Sequence, residues 1–263
     1  MLVLTFPVID PVAIAFGPLA IRWYSLAYIV GLIFGWRFMM HLAGRPPGLV
    51  ARQDCDDFMI WATLGVILGG RLGYAIFYQP LYFLYNPVEI LAVWRGGMSF
   101  HGGMLGVMFA AILFTRKRNI SGLAFCDLVC TVAPVGLFFG RIANFINGEL
   151  VGRVTDVPWA MVFPRGGPDP RHPSQLYEAT LEGLVLFAVL LFLVYRIRAM
   201  ERPGFLSGAF LVGYAVARGV VELVREPDAQ LGFLIGGATM GQLLSVPLAL
   251  GGLYLIWRAR RQP

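Results

Sequence analysis

The chain has 263 residues, 58% of them hydrophobic and 14% charged, with a mean hydropathy of +0.71. That composition excludes an ordinary soluble domain and indicates an integral membrane protein. The formal charge of +6 does not indicate nucleic acid, because Lys117 is the sole lysine among 21 basic residues and the arginines gather in short clusters beside apolar runs, a topological pattern.

Several runs approach the roughly 20 residues needed to cross a bilayer as a helix, and no alternating ten-residue pattern points to a barrel. The predicted fold is an all-α integral membrane protein of about seven transmembrane helices, forming one polytopic domain over residues 1–263. No Lys or Arg precedes Arg22, so the first apolar run is expected to span rather than to serve as a cleaved signal.

Residues 1–17 are interrupted by Pro7, Asp10 and Pro11 and are expected to lie along the interface. Residues 23–40 form the first predicted span. After a loop carrying Arg45, Arg52, Asp54, Asp56 and Asp57, residues 58–78 form the second, which contains Arg71 and a stripe of Gly65, Gly69 and Gly73 suited to close helix approach. Residues 79–97 are aromatic, broken by Pro80 and Pro87, and predicted to lie on the membrane surface with Tyr78, Tyr82, Tyr85 and Trp94 as anchors. Residues 98–115 form the third span, closed by Arg116, Lys117 and Arg118. Residues 122–145 form the fourth, with Pro134 expected to kink it. The proline-rich stretch 148–177 is predicted as an extramembrane insertion between the fourth and fifth helices. Residues 179–195, 204–224 and 238–257 complete the seven.

If the helices alternate, Arg37, Arg45 and Arg52, then Arg116 to Arg118, then Arg196, Arg198 and Arg202, then Arg258, Arg260 and Arg261 all fall on one side. The positive-inside rule makes that side cytoplasmic. The N-terminus and the insertion are then outside and the C-terminus inside. Tyr24, His101, Arg141 and Arg218 come to the extracytoplasmic end of the membrane, with Arg71 somewhat deeper in the same half.

The densest polar stretch is Gly136 to Leu150, where Arg141, Asn144, Asn147 and Glu149 interrupt an apolar run. A guanidinium in hydrocarbon costs roughly 2.5–3.5 kcal/mol even on a lenient insertion scale, so Arg141 needs a partner. Two arginines can hold one phosphodiester, and Arg141 with Arg218 form a candidate anion site. Structural pairing is the competing explanation: Glu222 lies one turn beyond Arg218, and Glu149 or Glu178 can neutralise Arg141. His101 is a candidate general base, since histidine titrates near neutrality, although a histidine at a helix end also serves as a cap. Gly102, Gly103 and Gly106 beside it permit close approach of a backbone or a ligand. His172 is a weaker candidate for ligand contact, and His41 is taken as bland. Cys55, Cys126 and Cys130 make neither an even disulfide set nor a metal-ligand spacing with the three histidines, and no metal or cofactor is demanded.

Four blocks occur in order: Met98-Ser-Phe-His-Gly-Gly103, Gly140-Arg-Ile-Ala-Asn-Phe-Ile-Asn-Gly-Glu149, Arg171-His-Pro-Ser-Gln-Leu-Tyr-Glu178 and Glu226-Pro-Asp-Ala-Gln230. Together they resemble the bacterial prolipoprotein diacylglyceryl transferases over nearly the whole chain. The resemblance implies an enzyme of the bacterial inner membrane that uses phosphatidylglycerol and a prolipoprotein signal peptide. The diacylglyceryl group would move to the lipobox cysteine thiol, forming a thioether and releasing glycerol phosphate. It further implies Arg141, Arg218 and His101 as catalytic residues, and Tyr24, Asn144, Glu149, Gly152, Tyr214 and Glu222 with both arginines as substrate contacts. An anionic-lipid transporter or flippase would also bury arginines at one level, but no internal repeat divides the chain into halves.

Overall fold

A computed structural model of the protein describes residues 4–7, 9–17, 19–227 and 232–261. It is mostly helical. Five described helices are long and apolar enough to cross a membrane: α1 (Trp23–Ala43), α2 (Arg52–Phe77), α5 (Gly122–Ile146), the continuous run Ser174–Ile197, and α9 (Met240–Arg260). α8 (Phe205–Val221) is apolar but 17 residues long, and α4 (Phe100–Arg118) has 19 residues with three basic ones in its last turn. Before α4 stand the short helix α3 (Pro80–Tyr85) and two 3-10 turns, Pro87–Leu91 and Val93–Arg95. Pro80 and Pro87 each occupy a helix start, where the missing N–H costs nothing.

The chain falls into two compact units, with the divisions inside α1 and α5. One unit is Met39–Cys126; the other holds the chain up to Phe38 and from Asp127 onward.

In Met39–Cys126 the two glycine stripes face each other. A Cβ on Gly69 would meet the backbone of Gly102 and Gly106, and one on Gly65 would lie 2.8 Å from the Gly106 carbonyl. The α2 and α4 backbones are therefore in contact, as a small-residue seam allows. Gly102 and Gly106 are used up in this packing, so ligand approach at those two positions is not their role. At one end of the seam, Arg118 pairs with Asp57, and Phe58, Phe114 and Phe125 form an aromatic knot with ring centroids 4.8–5.6 Å apart.

Arg71 is a tether. Its guanidinium is almost fully buried and donates to four carbonyls, those of Glu89 (2.7 Å), Ile90 (2.9 Å), Gly96 (2.5 Å) and Gly97 (3.2 Å). It also sits 5.0 Å over the Phe83 ring. Carbonyl dipoles here replace a counter-ion, and the arginine fastens the proline-broken segment to α2.

In the other unit, the described residues before α1 include three short strands. β1 (Leu4–Thr5) pairs in parallel with β4 (Met161–Val162), and β2 (Val12–Phe16) forms a hairpin with β3 (Leu19–Arg22). Phe6 packs at 5.3 Å on Phe145 and 5.1 Å on Phe163, tying the chain start to α5 and to the long connection after it.

Asp127 sets the direction of α8. Gly204, at its N-cap, has no side chain to cap with, and the Asp127 carboxylate on α5 substitutes, accepting from Gly204 N (2.8 Å), Ser207 N (2.7 Å) and Ser207 Oγ (2.6 Å). The N-termini of α5 and α8 are thereby held together and the helices run the same way. At ~1.5 Å per residue, Arg141 lies ~21 Å along from Asp127 and Arg218 ~17 Å along from Ser207, which brings them to a common level. The run between them returns in the opposite sense. It consists of α6 (Ser174–Glu178), a π-helical turn (Ala179–Val185) and α7 (Leu186–Ile197). Its helical start at Ser174 corrects the predicted start at 179: the last residues assigned to the insertion, Glu178 among those that follow directly, belong to a helix. Ser, Gln, Tyr and Glu on the first turn conceal it from a hydropathy reading.

Candidate functional site

Three guanidiniums and three carboxylates meet within this second unit. α5 contributes Arg141, the helical run from Ser174 contributes Glu178 and Glu182, and α8 contributes Arg218 and Glu222, with Arg225 just past its end. Glu178 is the centre. Its Oε1 accepts from Arg218 Nη1 at 2.7 Å and Arg225 Nη1 at 2.9 Å, while its Oε2 lies 3.0 Å from Arg141 Nε. Glu182 Oε2 accepts from Arg141 Nη2 at 3.3 Å, and Glu222 Oε1 pairs with Arg218 Nη2 at 2.5 Å. Charges this deep persist only when compensated, and here the compensation is mutual.

The burial is layered. The side chains of Glu178 and Glu182 are 0% exposed, whereas those of Arg141 and Arg218 are 16% and 15% exposed. The acids form a floor and the arginines a face, so an approaching anion meets guanidinium first. The two arginines differ in what they still offer. Arg141 spends its side-on edge, Nε and Nη2, on the two glutamates, leaving the end-on edge of Nη1 and Nη2 for a phosphate. Arg218 is braced through both terminal nitrogens, and Gly241 packs against its ion pair: a Cβ there would stand 2.7 Å from the Glu222 carboxyl carbon and 3.1 Å from Arg218 Nε.

Of the other predicted residues, Asn144 is buried and its Nδ2 donates to Glu149 Oε1 at 2.8 Å, with Asn147 Nδ2 also donating at 3.4 Å. Glu149 therefore answers to two amides rather than to Arg141. Its backbone carbonyl accepts from the buried Gln175 Nε2 at 2.6 Å, and the Leu150 carbonyl accepts from Ser174 Oγ at 3.0 Å. Leu150 itself has φ +57°, an unusual conformation for a branched residue. Tyr214 lies one turn before Arg218, within the field of Glu182, Arg218, Arg141 and Glu178. Tyr24 touches Tyr28, hydroxyl to hydroxyl at 3.4 Å, and Tyr28 lies within the field of Arg141 and Glu149.

Gly152 is placed as a backbone crossing. A Cβ there would lie 2.6 Å from His172 Cβ, 2.7 Å from the His172 carbonyl and 2.8 Å from the Val224 carbonyl. Its own N–H donates to the His172 carbonyl at 2.9 Å. Around it the connection is stitched down. Arg171 donates to the carbonyls of Gly166 (2.7 Å) and Gly152 (3.1 Å) and pairs with Glu226 at 3.0 Å; Arg153 donates to the carbonyls of Glu222 and Arg225 at 2.9 Å each. The last pair satisfies carbonyls left open where α8 ends. His172 faces Tyr177, with Nδ1 3.2 Å from the hydroxyl, and burial lowers its pKa from the usual value, favouring neutral imidazole. Residues 228–230 of the fourth block lie outside the described residues.

His101 belongs to the other unit, so the arginine cluster and the histidine are built on separate supports. It stands in the first turn of α4, where Ser99 Oγ caps Gly102 N at 3.2 Å and Ser99 N donates to the Gly70 carbonyl at 2.9 Å. The glycine seam pins this turn, and His101 is an exposed residue.

Sequence reasoning named Arg141, Arg218, Glu222 and Glu178 and missed Glu182 and Arg225. The signal for Glu182 was its position four residues after Glu178, which puts both on one helix face.

A family profile described as prolipoprotein diacylglyceryl transferase matches residues 11–258. Three relatives, each named phosphatidylglycerol–prolipoprotein diacylglyceryl transferase, align end to end. That of Paramagnetospirillum magneticum is 60% identical over 98% of this chain and 97% of its own length. That of Azospirillum brasilense is 57% identical over 100% and 99%, and that of Rhodospirillum rubrum 60% over 98% and 95%.

Proposed function

Because the chain belongs to the prolipoprotein diacylglyceryl transferase family and is a transferase acting from phosphatidylglycerol onto prolipoproteins, we propose that the buried arginine–glutamate cluster is where the phosphate of the lipid is held and released. The relatives' names favour this over an anionic-lipid transporter or flippase. The observation that carries the assignment is the open end-on edge of Arg141, the outward face of a cluster whose acids are sealed beneath it.

The acceptor is the lipobox cysteine of the signal peptide. A thiol must ionise to attack well. His101 takes that proton, the sulfur forms a bond to the glyceryl carbon, and the carbon–oxygen bond to phosphate breaks. Glycerol phosphate leaves carrying the developing charge, which Arg141 and Arg218 stabilise in a site of low dielectric. Tyr24, Tyr214, Asn144 and Glu149 hold the headgroup, while Gly152 and Glu222 keep the surrounding backbone and Arg218 in place.

Seven spans are proposed, α4 and α8 joining the five longer apolar helices, in the inner membrane of a bacterium. The N-terminus and the residue 148–173 connection face out and the C-terminus faces the cytoplasm, with the chain acting as one polytopic domain. Reporter fusions after Arg118 and Arg202 are expected to be cytoplasmic, and one within residues 166–169 external. A cytoplasmic signal from the last would put the cluster on the wrong side for an exported acceptor.

The function is tested with membranes holding the protein, headgroup-labelled phosphatidylglycerol and a lipobox peptide. Release of labelled glycerol phosphate that depends on the peptide cysteine is the expected result. No release, with labelled lipid exchanged between leaflets instead, would revive the transporter.

A further inference from the structure

We propose that Glu182 is a positioning residue that aims the Arg141 guanidinium at the phosphate, an inference that rests on the assignment of Arg141 as the phosphate fork. A guanidinium has two bidentate edges, and a phosphate held by the wrong one is displaced from the reacting carbon. Glu178 and Glu182 approach Arg141 along the same side-on edge, at Nε (3.0 Å) and Nη2 (3.3 Å). Glu178 alone does not fix the orientation, because its Oε1 is held by Arg218 and Arg225 and the contact of its Oε2 to Arg141 Nε lacks a directed hydrogen bond. The Nη2 bond to Glu182 is the directed one and stops the plane from rotating about the Nε contact.

Two further observations separate aiming from simple charge balance. Glu182 Oε1 is fully buried without a hydrogen bond, its nearest guanidinium nitrogen being Arg218 Nη1 at 3.8 Å. With Oε1 unbonded, the directed hydrogen bond of the Glu182 carboxylate is the one from Arg141 Nη2, so the carboxylate is oriented on that guanidinium. Glu182 also lies in the π-helical turn, where Gly183 follows it hard against α5: a Cβ on Gly183 would lie 2.7 Å from Phe138 Cβ and 3.0 Å from its Cα. The wide turn and the close approach to α5 together fix how far the Glu182 carboxylate reaches towards Arg141, three residues beyond Phe138 on the same helix.

The test is a series at Glu182 combined with Arg141→Lys, scored as initial rate against phosphatidylglycerol concentration with folded protein checked by thermal melting. Glu182→Gln loses the charge but keeps an acceptor oxygen; Glu182→Leu keeps similar volume and loses both. An aiming role predicts that Glu182→Leu lowers turnover about 10–100-fold with little change in KM, and that Glu182→Gln recovers most of it. Lysine has no edge to aim, so adding Glu182→Leu to Arg141→Lys should cost less than about threefold more. Equal losses in the Gln and Leu variants, or losses that multiply with Arg141→Lys, would overturn the proposal and leave Glu182 as a counter-charge. Should Glu182→Leu fail to fold, Glu182→Gln decides alone: turnover close to the unmodified protein's supports the aiming role, and a loss of about 10–100-fold in a folded Glu182→Gln overturns it. If Arg141→Lys is itself as fast as the unmodified protein, the phosphate-fork assignment falls and this inference with it; if Arg141→Lys is slow but Glu182→Leu is fast, only this inference falls.

Discussion

Arg141→Lys is expected to leave the protein folded and inserted while lowering turnover about 10²–10³-fold, the usual cost of removing one donor aimed at developing charge. The expectation follows from how the residue is held. Lysine keeps the positive charge needed over the sealed carboxylates of Glu178 and Glu182, so the ion-pair floor survives. What it loses is the planar fork, and with it the pair of parallel donors on the end-on edge. The loss should therefore fall on turnover more than on KM for phosphatidylglycerol, because charge on the departing phosphate grows during the reaction. Rates across a range of lipid concentrations, with melting temperature measured alongside, decide the matter. A stable variant with unchanged rates would make Arg141 a structural charge and shift phosphate recognition to Arg218.

The helical framework was legible because hydropathy and glycine spacing act locally. The observed bounds of α1, α2, α4, α5, α8 and α9 fall within a few residues of the predicted spans at most ends, and the larger gap at the start of α2 is a polar first turn carrying Asp54, Asp56 and Asp57. The same cause hid the start of α6, where Ser174, Gln175 and Glu178 are polar yet fully buried. The strands β1 to β4 were not legible. β1 and β4 pair across more than 150 residues of chain, and in the hairpin of β2 and β3 both faces are apolar, so no alternation marks it. The arginines of the site declared themselves through the cost of burying them, but that cost does not say what compensates it. Arg71 and Arg141 look alike in the sequence, and one is satisfied by four carbonyls while the other is satisfied by carboxylates and keeps an edge open. Glu182 was missed because its i, i+4 neighbour Glu178 was read as the end of a loop, and the arginines that compensate it are distant in sequence.

His101→Gln is expected to lower turnover about 10²–10⁴-fold if the imidazole takes the thiol proton, since glutamine keeps hydrogen bonding but is a poor base. The local structure makes the variant informative. The turn that carries His101 is fixed by the Ser99 cap, by the Ser99 N–H on the Gly70 carbonyl and by the Gly69, Gly102 and Gly106 seam, none of which involves the imidazole. Melting temperature measured alongside separates any loss of fold from a loss of chemistry. The chemistry supplies a second readout. A free cysteine thiol ionises near pH 8.5, so without a base the reaction must draw on thiolate already present. The rate of the variant should therefore climb as pH rises towards that value, recovering part of the loss, while the unmodified protein gains much less over the same range. A variant that turns over normally at neutral pH would remove His101 from the chemistry. One that stays slow at every pH in spite of a normal fold would mean that His101 holds a substrate in place instead of accepting its proton.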